Sequence, residues 1–165
     1  IGGGPSTITD FDQFQKYKTS FYVGISKEII VSKLIGVSFE GNYWRTGFTN
    51  DTSFTKVSFN YISTPIMLNL NIGKFYLAAG MYAALNLNTV EKTSAGDKYK
   101  YSFQNNRYEL WDWGAVFNVG FKWRFLGFDV RYVLGLQDVL IANPTKFYNS
   151  AIFFGASLHL IKRKK

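Results

Sequence analysis

The chain has 165 residues, 47% of them hydrophobic and 19% aromatic against 18% charged, which sizes it as one domain and excludes a disordered tail. Its longest uncharged apolar runs, Phe75 to Leu85 and Ala151 to Leu158, stop well short of the roughly 18 residues that a membrane-spanning helix needs, so a helical membrane protein is excluded too. The net charge of +8 includes the terminal Lys162 to Lys165, the other lysines are scattered singly with no nucleic-acid motif, and 0 Cys with 1 His remove disulfide scaffolds and thiol chemistry.

Along the chain, apolar positions recur every second residue, and the residues that fill them are β-branched, aromatic or Gly, which reads as all-β. The chain opens on Ile1 rather than Met, as a processed or trimmed chain would, and Ile1 to Ile8 is expected to be a partly present first strand followed by a loop over Phe11 to Tyr17. From Thr19 to Ile30, Phe21, Val23, Ile25 and Ile29 oppose Ser20, Gly24, Ser26 and Glu28. After a short turn at Ser32-Lys33, Ile35, Val37, Phe39 and Tyr43 oppose Gly36, Ser38, Glu40 and Asn42, and Thr46 to Thr55 reads as a long loop. The stretch Lys56 to Ile72 alternates through Val57, Phe59 and Tyr61, then changes phase to Ile62, Ile66, Leu68 and Leu70; with Pro65 near the change, a bulge is expected there.

Gly73-Lys74 forms a two-residue turn into the cleanest alternation, Phe75, Leu77, Ala79, Met81, Ala83, Leu85 and Leu87 against Tyr76 to Asn88. Thr89 to Asn106 is the longest expected loop, although Tyr99, Tyr101 and Phe103 alternating with Lys98, Lys100 and Ser102 suit an extended hairpin. Trp111 to Arg124, then a turn at Phe125-Leu126-Gly127, then Phe128 to Gln137 make the next hairpin; a loop through Asn143-Pro144 leads to a final strand with Ile152, Phe154, Ala156 and Leu158 on one face. Tight and long connections alternate, as in an up-and-down meander. Seven full strands plus the partial first one make eight, the even number that closes a membrane barrel.

Two eight-stranded barrels fit this meander, and side-chain volume separates them. An eight-stranded interior is just wide enough to be filled, so it has no room for the many Phe, Leu and Tyr of the apolar face, and the soluble lipocalin-like ligand-binding barrel is disfavoured. The opposite face carries Gly24, Gly36, Gly80, Gly114, Gly120, Gly135 and Gly155 with polar residues, which suits a narrow lumen. The expected fold is therefore an eight-stranded antiparallel up-and-down transmembrane β-barrel with its apolar wall against lipid, the remaining reading being a β-sandwich core. Aromatic clusters at Tyr43, Trp44 and Phe48, at Phe59 and Tyr61, at Trp111 and Trp113, at Trp123, Phe125 and Phe128, and at Phe147 and Tyr148 are read as two interfacial girdles.

The runs Tyr61-Ile62-Ser63-Thr64-Pro65-Ile66-Met67-Leu68, Gly73 to Tyr82, Trp113 to Phe121 and Phe128 to Leu136 resemble the PorT-like outer-membrane β-barrel family common in Bacteroidota, over roughly Thr19 to Ile161. The resemblance implies a bacterial outer-membrane location and a non-enzymatic structural, assembly or protein-export accessory role in an envelope complex. Its implied partners are outer-membrane lipid, lipopolysaccharide and other envelope proteins, with no cofactor.

The lumen face holds Glu28, Glu40, Asp112, Lys122, Asp129 and Arg131, which are expected to form a structural plug of ion pairs because buried charges persist only when paired. Ser157 and His159 share a face, the pairing that a lipid-modifying outer-membrane enzyme would use. The direction of the last strand puts them near the periplasmic end, away from the outer leaflet, so no catalytic or metal site is expected. The basic stretch Lys162 to Lys165 is expected to be a solvated periplasmic tail.

Overall fold

The computed structural model of the protein describes residues 1–9, 16–50, 55–93, 96–101, 108–138 and 148–158. Among them the strands are β1 (Gly2–Thr9), β2 (Lys16–Ile30), β3 (Ile35–Asn50), β4 (Thr55–Ile72), β5 (Phe75–Lys92), β6 (Lys98–Tyr101), β7 (Trp111–Trp123), β8 (Leu126–Gly135) and β9 (Tyr148–Leu158). They make one antiparallel sheet in the order β4-β3-β2-β1-β9-β8-β7-β5-β6, and the additional β4–β5 pairing closes it. Eight strands form the barrel; β6 is a short addition to the far end of β5. The first strand completes the ring by pairing Gly3 with Phe21 of β2 on one side and with Phe154 of β9 on the other.

Orientation follows from exposure. Phe21, Leu77, Phe117 and Leu158 are 42%, 47%, 48% and 67% exposed, whereas Arg131 is only 4% exposed. Bulky apolar groups therefore form the outer wall and ionic groups the interior, the inverse of both a lipocalin-type barrel and a sandwich core. On β4 the lipid-facing wall runs from Ile62 to Ile72, about the 9–11 residues that a spanning strand needs.

Several expected loops are strand. β2 already includes Lys16 and Tyr17; β3 and β4 continue to Asn50 and back from Thr55; β5 reaches Lys92 and pairs with β6 from Thr89↔Tyr101 to Lys92↔Lys98. At about 3.3 Å per residue, Thr55–Tyr61 carries β4 roughly 20 Å beyond the lipid-facing wall. The polar composition that suggests a loop here belongs to strands standing in water, where a polar outer face is what solvation requires. The turn after β7 is Arg124-Phe125 rather than Phe125 to Gly127, since Trp123 pairs with Leu126; Arg124 takes a φ of 53°, and Gly73 a φ of 63° in the turn before β5.

The phase change at Tyr61/Ile62 is not a bulge in β4. Val57, Phe59, Tyr61, Ser63, Pro65, Met67, Asn69 and Asn71 stay on the inner face without interruption. The register shift lies in the partner: Asn60 pairs with Asn88 and Tyr61 with Asn86, leaving Leu87 of β5 as the extra residue. What reverses is the chemistry of each face. Beside lipid the apolar side chains point out; above it they point in, because water now surrounds the outside. For the same reason Trp44, Phe48, Phe59 and Tyr61 are not part of an interfacial girdle but lie buried inside the barrel, while Trp111, Trp113, Trp123, Phe125 and Phe128 remain on the outer wall.

Candidate functional site

The lumen is filled in layers, each bridged by side chains from opposite walls. At the short-turn end, Lys122 of β7 reaches across to Glu28 of β2 at 3.1 Å and donates to Asn71 Oδ1 at 2.9 Å, while Asn69 and Asn71 of β4 donate to Glu28 Oε1 at 3.2 and 2.8 Å. The Lys122 ammonium also lies 4.7 Å from the centre of the Tyr76 ring. Tyr76 occupies the space over Gly120, its cross-strand partner, where a Cβ would strike the ring.

In the middle layer Arg131 of β8 forms an ion pair with Glu40 of β3, Nη1 lying 2.8 Å from Oε2 and Nη2 donating to Oε1 at 2.9 Å, and its Nε donates to Asn118 Oδ1 at 2.9 Å. The guanidinium stacks 4.7 Å from the Tyr22 ring, whose hydroxyl donates to Asp129 Oδ2 at 3.2 Å. Gly155 opens the room for this cluster, since a Cβ there would come within 2.7 and 2.8 Å of the Asp129 carboxylate oxygens. Above it, Asp112 of β7 accepts hydrogen bonds from Asn149 Nδ2 at 2.7 Å and from the Tyr82 hydroxyl at 3.2 Å; Asn149 Nδ2 also donates to the Tyr61 hydroxyl at 3.2 Å.

The six charged residues read from the sequence thus all face the interior, but not as one plug of ion pairs. Glu28–Lys122 and Glu40–Arg131 are pairs, Asp129 stands near the Arg131 guanidinium and accepts from the Tyr22 hydroxyl, and Asp112 is held by neutral donors. A fourth layer escapes sequence reasoning entirely. Trp44 packs edge-on against Tyr82 at 4.9 Å and Tyr61 at 6.2 Å, and Phe59 stacks with Phe48 and Tyr61 and meets Tyr108 edge-on at 5.3 Å. These rings pack together in the upper lumen, and Trp44 also stacks on Phe153 of β9 at 6.5 Å. The signal that points to them is the phase change at Tyr61/Ile62, taken as an inversion of environment rather than as a bulge.

Outside the barrel, above the apolar wall, a second group of charges collects. Lys56 of β4 stands directly opposite Lys92 of β5, which stands directly opposite Lys98 of β6, so the three share one face of the sheet; Lys100 follows on that face of β6. All four are exposed. Nearer the wall, Arg45 Nη2 donates to Ser58 Oγ at 3.4 Å, and Lys18 Nζ donates to Val57 O at 2.9 Å and to Ser58 Oγ. Burial, then the charges of Arg45, Lys56 and Lys92, pull the Lys18 ammonium down to about 8.

Ser157 lies opposite Gly127 near the short-turn end, and His159, the tail 162–165, Phe103, Phe147 and the Asn143-Pro144 loop lie outside the described residues. Among the described residues no group of three or more His, Asp or Glu is arranged to hold a metal ion.

The family model described as outer membrane protein beta-barrel domain matches residues 5–140. Comparison with curated proteins finds no match. Among solved structures, Neisserial surface protein A is similar with a TM-score of 0.66 at 12% identity, covering 96% of this chain and 94% of that one. Ail, the attachment invasion locus protein of Yersinia pestis, solved in complex with the heparin analogue sucrose octasulfate, is similar with a TM-score of 0.55 at 13% identity, covering 95% of this chain and 93% of that one. At these identities the likeness is one of fold.

Proposed function

Since the chain belongs to the outer membrane protein beta-barrel domain family, and so lies in the bacterial outer membrane, we propose that it acts there as a non-enzymatic structural, assembly or export accessory subunit, as its PorT-like sequence features suggest. The observation that carries this reading is the filled lumen. Cross-barrel ion pairs, the Asp112 network and the aromatic layer occupy the axis at successive heights, leaving neither a conduit nor a reactive constellation among the described residues. Work left to such a barrel falls to its outer wall and its water-exposed strands.

Two measurements test it. The purified barrel in planar bilayers is expected to show no unitary conductance. The tagged chain, cross-linked in its native membrane, is expected to carry another envelope protein in fixed ratio. A steady ion-conducting state would overturn the closed-lumen reading, and recovery of the monomer with lipid alone would overturn the accessory role.

A further inference from the structure

The lysine ladder on the outside of the barrel has no anionic partner within the described part of the chain. Lys56, Lys92 and Lys98 are direct cross-strand neighbours, and like charges so placed repel. Among the described residues none of Arg45, Lys56, Lys92, Lys98 and Lys100 forms an ion pair, and Arg45 Nε is buried without a hydrogen-bond partner. Glu91, adjacent in sequence to Lys92, faces the other way and accepts hydrogen bonds from the hydroxyls of Tyr101 and Tyr108. The same wall below is apolar, with Phe21, Ile62 and Met81 exposed. Short turns mark the periplasmic end of such barrels, so this basic face stands on the outer-leaflet side.

We propose that the outward face formed by Lys18, Arg45, Lys56, Lys92, Lys98 and Lys100 docks the phosphorylated headgroup of an outer-leaflet glycolipid, lipid A, whose acyl chains lie along the apolar wall beneath. The vertical order of the face matches the order of the molecule. Arg45 stands opposite Phe21 at the rim of the wall, at the level where acyl chains give way to phosphates. The lysines of β4, β5 and β6 stand above it, Lys56 four residues along β4 from Asn60, the partner of Arg45, a rise of about 13 Å along a tilted strand that long lysine stems shorten toward the same phosphates. A free sulfated glycan needs no apolar surface, and the position of the patch directly above one favours the lipid. Burial first, and then the charges of Arg45, Lys56 and Lys92, lower the Lys18 ammonium, in keeping with positive charge gathered on this face.

The inference rests on the outer-membrane reading, and its test separates the two. The full chain is reconstituted into phosphatidylcholine vesicles containing lipid A or its enzymatically dephosphorylated form, and the lipid that co-elutes after mild detergent extraction is measured. Insertion is read from heat-modifiable gel mobility. The parent is expected to retain lipid A and not the dephosphorylated lipid, the more so at low salt. The variant K56S/K92S/K98S/K100S is expected to insert and retain at least about tenfold less. The variant K27S/K33S/K74S, which alters lysines outside the ladder (27, 33 and 74), is expected to retain as much as the parent.

Relief of cross-strand repulsion also predicts that the four-lysine variant unfolds at higher urea than the parent in vesicles of phosphatidylcholine alone. An inserted four-lysine variant that keeps its lipid A overturns the proposal, as does equal retention of the dephosphorylated lipid. Binding of sucrose octasulfate by a chain that ignores lipid A overturns it in favour of a sulfated glycan. A parent that never inserts overturns the membrane reading and the docking site together.

Discussion

Arg131 is the residue whose removal tests most directly how the lumen is held. Its guanidinium pairs with the Glu40 carboxylate and donates one hydrogen bond to it and one to Asn118, with the two charged side chains 4% and 10% exposed. Arg131→Met keeps the length and apolar stem of the side chain but leaves the Glu40 carboxylate facing Asp129 with no cation between them. Breaking a buried pair from one side costs about 3–5 kcal/mol. Glu40→Gln is milder, about 1.5–3 kcal/mol, because Asp129 remains beside the guanidinium and the amide oxygen still accepts one bond. In the double variant Arg131→Met/Glu40→Gln no guanidinium lacks its partner and Glu40 no longer carries a charge, so its loss should fall short of the sum of the two by about 2 kcal/mol. Equilibrium urea unfolding in phospholipid vesicles measures this, with the emission of Trp44, which sits in the layer above the pair, as one reporter. Losses that add within about 0.5 kcal/mol would refute the cross-barrel coupling.

Three further outcomes follow from the same geometry. Leu68→Arg, in the middle of the lipid-facing run of β4, should cost about 2–4 kcal/mol in the same assay, and Ile72→Arg at its end about 0–1; equal costs would contradict the placement of the wall. Gly120→Val should lose about 1–3 kcal/mol because its Cβ meets the Tyr76 ring, whereas Gly41→Ala, with nothing within 4 Å of its Cβ, should stay within about 0.5. The Lys18 side chain should titrate near pH 8, seen as a lysine Cε resonance that Lys18→Met removes. Its folded value lies below the unfolded 10.5, so the unfolded chain binds more protons between about pH 8 and 10.5 and the contribution of Lys18 to stability rises with pH across that window. A resonance titrating near 10.5 would show that Lys18 is not desolvated.

Much of this architecture is legible in the chain because a strand has a period of two. Phe75 to Leu85 against Tyr76 to Asn86 assigns each residue to one of two faces, up to the extra residue Leu87, and glycine and charge on one of them identify the lumen. Periodicity assigns faces without naming the solvent on each, and the solvent changes along a single strand. Val57, Phe59 and Tyr61 lie on the same face of β4 as Asn69 and Asn71, which only the closed barrel reveals, since the outside is lipid at one end and water at the other. Partners across the axis are likewise tertiary. Glu40 meets Arg131, and Glu28 meets Lys122, across separations of 91 and 94 residues, because eight registers sum to bring them to one height. The lysine ladder has the same origin: Lys56, Lys92 and Lys98 are scattered singly in sequence and become neighbours when β4, β5 and β6 pair. Local alternation determined that this chain makes a barrel with an apolar outside. Strand register and closure, which no local pattern encodes, decided which charges touch and where the apolar surface turns inward.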